Sequence, residues 1–154
     1  MSKHSVQIEF DKHLSPVFLD TSLFIYLFED HPRYAPSLVT VFDSIAKGKI
    51  QAMTSVISLS EVLTKPFEQH DVTLIKKYRE IFLHLPNLTL VAIDDKIAVE
   101  AAKIRGEYGF HPTDCLQLAS AIEHGSKSFF TNDKQLTRFK KLTMLEAKQK
   151  IAEG

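Results

Sequence analysis

Short apolar runs of strand length alternate along this chain with longer segments of helical period, and that alternation restricts the fold more than any other feature. Val17-Phe18-Leu19, residues 50–57, residues 88–93 and Ser128-Phe129-Phe130-Thr131 read as buried strands, with residues 142–145 as a last edge strand. The intervening segments carry apolar residues at helical spacing. Asp20-Thr21-Ser22 caps a helix bearing Leu23, Phe24, Ile25, Leu27 and Phe28. A second helix, after Pro32 and Pro36, puts Leu38, Val41, Phe42 and Ile45 on one face and ends at Gly48. Residues 58–64 form a helix stopped by Pro66, and Asp71 caps another that carries Leu74, Ile75, Tyr78, Ile81, Phe82 and Leu85. Asp94 or Asp95 caps the next, with Ile97, Ala101 and Ile104 inward, and residues 113–123 are helical again up to Gly125. Strands alternating with helices build βαβ units. The expected fold is α/β, a three-layer α/β/α sandwich with a mainly parallel central sheet of four or five strands. Residues 1–15 read as a polar lead-in, residues 16–145 as one domain and residues 146–154 as a helical tail.

Composition supports one packed domain. The 154 residues are 44% hydrophobic, enough to bury roughly two thirds of the unfolded surface. A single cysteine, Cys115, rules out an intrachain disulfide. No apolar stretch reaches membrane-span length, and Met1-Ser2-Lys3-His4 lacks the apolar core of a signal peptide, so a cytoplasmic protein is expected. Lysine and arginine (19) balance aspartate and glutamate (19). The balance is global and not local: residues 127–150 hold seven basic residues against Asp133 and Glu146. Lys134, Arg138, Lys140 and Lys141 in that strip are candidate phosphate contacts, against the alternative of a plain solvated face. The seven histidines show no zinc spacing. Neither a nucleotide-binding glycine loop nor a Gly-x-Ser-x-Gly elbow occurs.

Four carboxylates stand at comparable places in the pattern. Asp20 and Asp133 come directly off strands, Glu61 follows the run through Val56-Ile57, and Asp114 opens a helix. In an open parallel sheet the loops after the strands gather at one edge, where ligands bind. Four acids meeting there would repel one another unless a hard cation, Mg²⁺ or Mn²⁺, lay between them. Each acid has a local alternative. Asp20 and Asp133 could cap helices, Ser58-x-x-Glu61 matches a capping box, and Asp114 suits the first turn after Pro112. Clustering is the property that separates the two readings.

Four motifs in order then resemble a known family. Phe18-Leu19-Asp20-Thr21-Ser22, the segment from Thr54 through Ser58 and Glu61 to Val62, His111-Pro112-Thr113-Asp114-Cys115-Leu116-Gln117-Leu118-Ala119, and Phe129-Phe130-Thr131-Asn132-Asp133 are similar to the motifs of PIN domains. The likeness is to the small bacterial kind found as VapC-like toxins of VapBC toxin–antitoxin pairs. The resemblance implies a Mg²⁺- or Mn²⁺-dependent endoribonuclease with Asp20, Glu61, Asp114 and Asp133 at the metal. In that reading Asp20 and Asp114 are direct ligands and Asp133 is direct or one water removed. Glu61 is a ligand or the proton acceptor, Thr131 and Asn132 orient Asp133, and Thr21 and Ser22 contact phosphate. It also implies an RNA substrate, a homodimer and a small antitoxin whose end enters the groove. One departure is visible: Lys134, Gln135 and Leu136 stand where many relatives carry a further acid, which leaves four carboxylates. The rival readings are a non-catalytic PIN-like domain that binds RNA or protein, and a phosphoacceptor or phosphatase domain using Asp20 as nucleophile. Metal-dependent RNA cleavage without a phosphoenzyme separates all three.

Overall fold

The computed structural model describes residues 4–6, 11–147 and 149–151. In chain order the elements are β1 (His4–Val6), β2 (Val17–Leu19), α1 (Thr21–Phe28), α2 (Ala35–Ala46), β3 (Ala52–Ser55), α3 (Val56–Glu68) and α4 (Val72–His84), followed by β4 (Leu88–Val91), α5 (Asp95–Tyr108), α6 (Pro112–Glu123), β5 (Ser128–Thr131), β6 (Thr143–Glu146) and β7 (Gln149–Ile151). Strands β2 to β6 form one five-stranded sheet in the order β4-β3-β2-β5-β6, and every pairing in it is parallel. The expected sandwich is therefore present.

Alternation along the strands explains the two covering layers. In β2, Val17 and Leu19 face a core with Leu23, Phe24, Leu38, Phe42, Ile45 and Phe82, built from α1, α2 and α4. Phe18 faces the other way, with Phe129, Ile97, Ile104 and Leu118 of the α5–α6 side. The Phe18 and Phe129 rings stack there with centroids 5.2 Å apart. Burial on both faces is why these strands read as continuous apolar runs, as expected for parallel strands under helices. The chain moves outward from β2 through β3 to β4, then returns to the other side of β2 for β5 and β6. The order therefore reverses between β2 and β5, and a crevice opens beyond their carboxyl ends.

Three local expectations are corrected. Val56 and Ile57 belong to α3 rather than to a strand, because Ser55 caps the helix, its Oγ accepting from the Ile57 N–H at 3.1 Å. Pro66 does not stop α3, which runs on to Glu68 with Pro66 buried in it. Packing of Val62 and Pro66 outweighs the one backbone bond that proline forgoes. The polar lead-in and the helical tail also differ from expectation: His4–Val6 and Gln149–Ile151 pair as antiparallel strands. Local propensity holds no information about that pairing between the two ends of the sequence. Residues 148 and 152–154 of the expected tail lie outside the described residues.

Candidate functional site

The carboxyl end of the sheet is an open cleft of about 510 Å³ lined by Asp20, Thr21, Ser22, Ile25, Tyr26, Glu61, Asp114, Asn132, Asp133 and Lys134. All four sequence-selected acids line it, although they come from the junction of β2 with α1, from α3, from α6 and from the turn after β5. Asp20 is placed by the strand pairing itself, since its N–H donates to Phe130 O at 3.0 Å and so ties the end of β2 to β5.

Asp20 is only 8% exposed. Its Oδ1 accepts from the Thr21 N–H at 2.8 Å and its Oδ2 from the Thr131 hydroxyl at 2.7 Å. Thr131 Oγ1 also accepts from the Asp133 N–H at 3.0 Å, so one hydroxyl links two of the acids. Asp114 opens α6 on its first turn and is half-buried, whereas Glu61 and Asp133 are exposed at the cleft. Helix capping accounts for part of this. Asp133 Oδ1 accepts from the Gln135 N–H at 2.9 Å, as a cap does. It does not account for Glu61: with α3 starting at Val56, Ser58 lies inside the helix and no capping box exists. Glu61 Oε1 instead accepts from the Thr21 hydroxyl at 2.9 Å, across from one helix to another.

Electrostatics set the acids apart from the rest of the surface. Burial pushes the Asp20 carboxyl up to about 6, against the pull of its bonds from Thr131 and Thr21, and the charges of Asp114 and Glu61 push it further. Burial also raises Asp114, aided by Asp133 and Glu61 and opposed by His111. No lysine, arginine or histidine makes an ion pair with any of the four among the described residues. The ion pairs there join other acids, such as Asp43 to Lys47 and Glu29 to Lys65.

A divalent cation fits the chemistry of this donor set. Four carboxylates beside hydroxyl and amide oxygens are what Mg²⁺ and Mn²⁺ prefer. Ser22 Oγ, which lines the cleft, is buried and makes no hydrogen bond, leaving a polar atom with capacity for a ligand or water. No three His, Cys, Asp or Glu side chains among the described residues form a ready-made ligand group. Mutual repulsion of unneutralised carboxylates favours that spread, and a cation would draw them in.

The remaining sequence candidates divide. Lys134 lines the cleft. Arg138 is engaged elsewhere, its guanidinium 4.9 Å from the centroid of the Phe110 ring and donating to Tyr108 O at 3.4 Å. Lys141 Nζ sits 3.8 Å from Glu100, and the Lys140 N–H donates to the Tyr108 hydroxyl at 3.3 Å. Asn132 Nδ2 donates to the hydroxyl of Tyr26 at 3.2 Å. Sequence reasoning missed Tyr26 and a group of buried hydroxyls and one amide behind the acids, namely Thr54, Ser55, Ser58 and Gln117. For Gln117 the available signal was its place one helical turn after Asp114.

The sequence profile of the PIN domain matches residues 17–142. No curated protein gives a significant sequence match. Among solved structures, the chain is similar to VapBC2 from Rickettsia felis bound to a DNA fragment from its promoter, at TM-score 0.68 and 20% identity, covering 84% of this chain and 97% of that one. It is also similar to FitAcB from Neisseria gonorrhoeae, at TM-score 0.64 and 18% identity, covering 85% and 97%. DNA-bound VapBC from Salmonella typhimurium gives TM-score 0.61 and 16% identity, covering 86% and 98%. At these identities the likeness is one of fold.

Proposed function

The chain belongs to the PIN domain family, and on that premise we propose that it is a Mg²⁺- or Mn²⁺-dependent endoribonuclease and the toxin of a toxin–antitoxin pair. The observation that carries the reading is the acid cleft: four carboxylates from four separate parts of the chain line one crevice at the sheet's switch point, and none is ion-paired to a basic side chain among the described residues.

Asp20 and Asp114 would hold the cation directly and Asp133 directly or through one water, while Glu61 would either join them or accept a proton from the attacking water. A bound divalent cation supplies charge neutralisation at the phosphate and a more acidic water. The protein's own groups do the rest. Thr131 keeps Asp20 and the Asp133 backbone in register. The unpartnered hydroxyl of Ser22 and the N–H of the same residue on the first turn of α1 would meet the scissile phosphate. Thr21 contributes by holding two of the acids rather than by touching phosphate, its N–H donating to Asp20 and its hydroxyl to Glu61. Lys134 at the cleft edge attracts the RNA backbone.

The partner reading draws on the toxin–antitoxin complexes among the similar structures. A cavity of about 430 Å³ between α1, α3 and α4 shares Ile25 and Glu61 with the acid cleft and is rimmed by the Glu29–Lys65 ion pair. An antitoxin segment lying there would reach the acids. No helix among the described residues is long and apolar enough to cross a membrane, and the reading gives the protein a homodimeric, cytoplasmic setting.

The test is cleavage of single-stranded RNA by the purified protein. Cutting should require Mg²⁺ or Mn²⁺, stop with chelator and return when metal is restored. RNA cleaved equally well in excess chelator would contradict the proposal, as would wild-type cleavage by Asp20→Ala. Metal-dependent binding without cutting would favour the non-catalytic alternative.

A further inference from the structure

Behind the acids lies a continuous chain of buried polar side chains. Its centre is Gln117 of α6, only 1% exposed. Its Oε1 meets Ser55 Oγ in a short hydrogen bond, and its Nε2 donates to Ser58 Oγ at 2.7 Å and to Thr21 Oγ1 at 3.3 Å. Ser58 Oγ and Thr21 Oγ1 are themselves 2.9 Å apart, and Thr21 Oγ1 is 2.9 Å from Glu61 Oε1. The path joins α6, β3, α3 and α1 and ends on a carboxylate at the cleft.

Proton accounting gives this chain a direction. Ser55 Oγ accepts from the Ile57 N–H as the cap of α3, and its own proton is left to donate to Gln117 Oε1. The amide orientation agrees with this: the carbonyl end faces Ser55 and the NH₂ faces Ser58 and Thr21. Both hydroxyls then accept from Gln117, and each has one proton to give onward. Glu61, acceptor-only when ionised, takes the proton of Thr21. Reversing the amide would place a carbonyl against both hydroxyls and call their protons away from Glu61.

We infer that Gln117 is a positioning residue for Glu61, acting through Ser58 and Thr21 to fix the donor that holds this exposed carboxylate at the cleft. Holding a glutamate side chain in one rotamer costs conformational entropy. The charge-assisted bond from Thr21 is the contact that offsets it. The inference rests on the nuclease reading only for what Glu61 then does; the positioning is a property of the metal-free protein.

The test has two readouts. In metal-free protein, NMR scalar couplings of the Glu61 side chain should show one dominant rotamer in the wild type. Averaging is expected in Gln117→Met and in Thr21→Val, with the single rotamer kept in Thr21→Ser. Should Gln117→Met fail to fold, Gln117→Glu removes the same donors at nearly the same volume. The second readout is Mn²⁺ affinity, which should weaken about tenfold or more in Gln117→Met and Thr21→Val, as for other groups that orient metal ligands. The double variant should be no weaker than either single one, because both changes cut the same path. A Glu61 rotamer that stays fixed in folded Gln117→Met, or fully additive losses in the double variant, would overturn the inference. Wild-type protein that holds Glu61 as described but binds no Mn²⁺ counts against the nuclease reading alone.

Discussion

The acid cleft and the flank where α5 meets the chain after β5 are both rich in charge, and they treat it in opposite ways. On the flank several charges meet partners. Lys103 and Lys141 approach Glu100 at 3.6 and 3.8 Å, Arg138 lies over Phe110 and bonds to Tyr108 O, and Arg105 bonds to Phe110 O. In the cleft four carboxylates line one crevice, one of them nearly buried, with no basic group ion-paired to any of them among the described residues. A charge arrangement that only stabilised the fold would resemble the flank. An arrangement that lowers metal-free stability and persists in a packed domain points to a ligand that relieves it, and the difference between the two regions is the basis for reading one as structural and the other as functional.

The contrast breaks most visibly through activity. Asp20→Ala or Asp114→Ala should reduce metal-dependent RNA cleavage to the level of the metal-free reaction, while circular dichroism and the melting transition show a folded protein. Changes on the flank should not approach that effect. An Arg138→Ala protein as inactive as Asp114→Ala would erase the distinction between the regions.

The next effect is on stability. The Asp20 pKa is near 3.8 in the unfolded chain and about 6 when folded, so between those values the folded state binds more protons. Metal-free stability should therefore fall as pH rises from about 4 to 6, and level off above that window, by on the order of 2–3 kcal/mol. Asp20→Asn should abolish most of that slope and raise the melting temperature of the metal-free protein at neutral pH, at roughly 2–4 °C per kcal/mol. Saturating Mg²⁺ or Mn²⁺ should raise the wild-type melting temperature and move the variant much less. A flat pH profile for metal-free wild type would show that Asp20 carries no such burden.

RNA docking should produce smaller changes. Lys134→Ala removes the one basic side chain of the strip that lines the cleft among the described residues, and should lower the salt slope of RNA affinity by about one while leaving the chemical step nearly intact. Lys140→Ala with Lys141→Ala should weaken binding in the same manner but less steeply, since Lys141 is already paired with Glu100. Smallest of all, Arg138→Ala should cost about 0.5–1 kcal/mol of stability through its lost contact with Phe110, and affect RNA binding little. Filter-binding titrations over a range of salt would order these variants.

Much of this was readable in the residues, for identifiable reasons. Parallel strands buried on both faces leave unbroken apolar runs such as Val17-Phe18-Leu19, so the sandwich was visible, and an acid directly after such a run marks the sheet's carboxyl edge. The errors fell where nonlocal packing decides. Ser55 takes the cap role that Ser58 offered in sequence, Pro66 stays within a packed helix, and β1 pairs with β7 from the other end of the chain. The polar chain through Gln117 was hidden for the same reason, since its partners are 59 to 96 residues away and only the place of Gln117 one helical turn after Asp114 hinted at it. Arg138 shows the converse: a basic residue in a basic run looks available until its ring and carbonyl partners are known.

The most direct test of the central claim is calorimetric titration of Mn²⁺ into chelator-stripped protein, in buffers of different ionisation enthalpy, near pH 6 and above pH 7. Saturable binding is expected, with more protons released near pH 6, where Asp20 is partly protonated, than above pH 7. Asp20→Asn should bind far more weakly and lose that proton release. Absence of binding at millimolar Mn²⁺, or identical binding by wild type and Asp20→Asn, would contradict the assignment of the acid cleft as a metal centre.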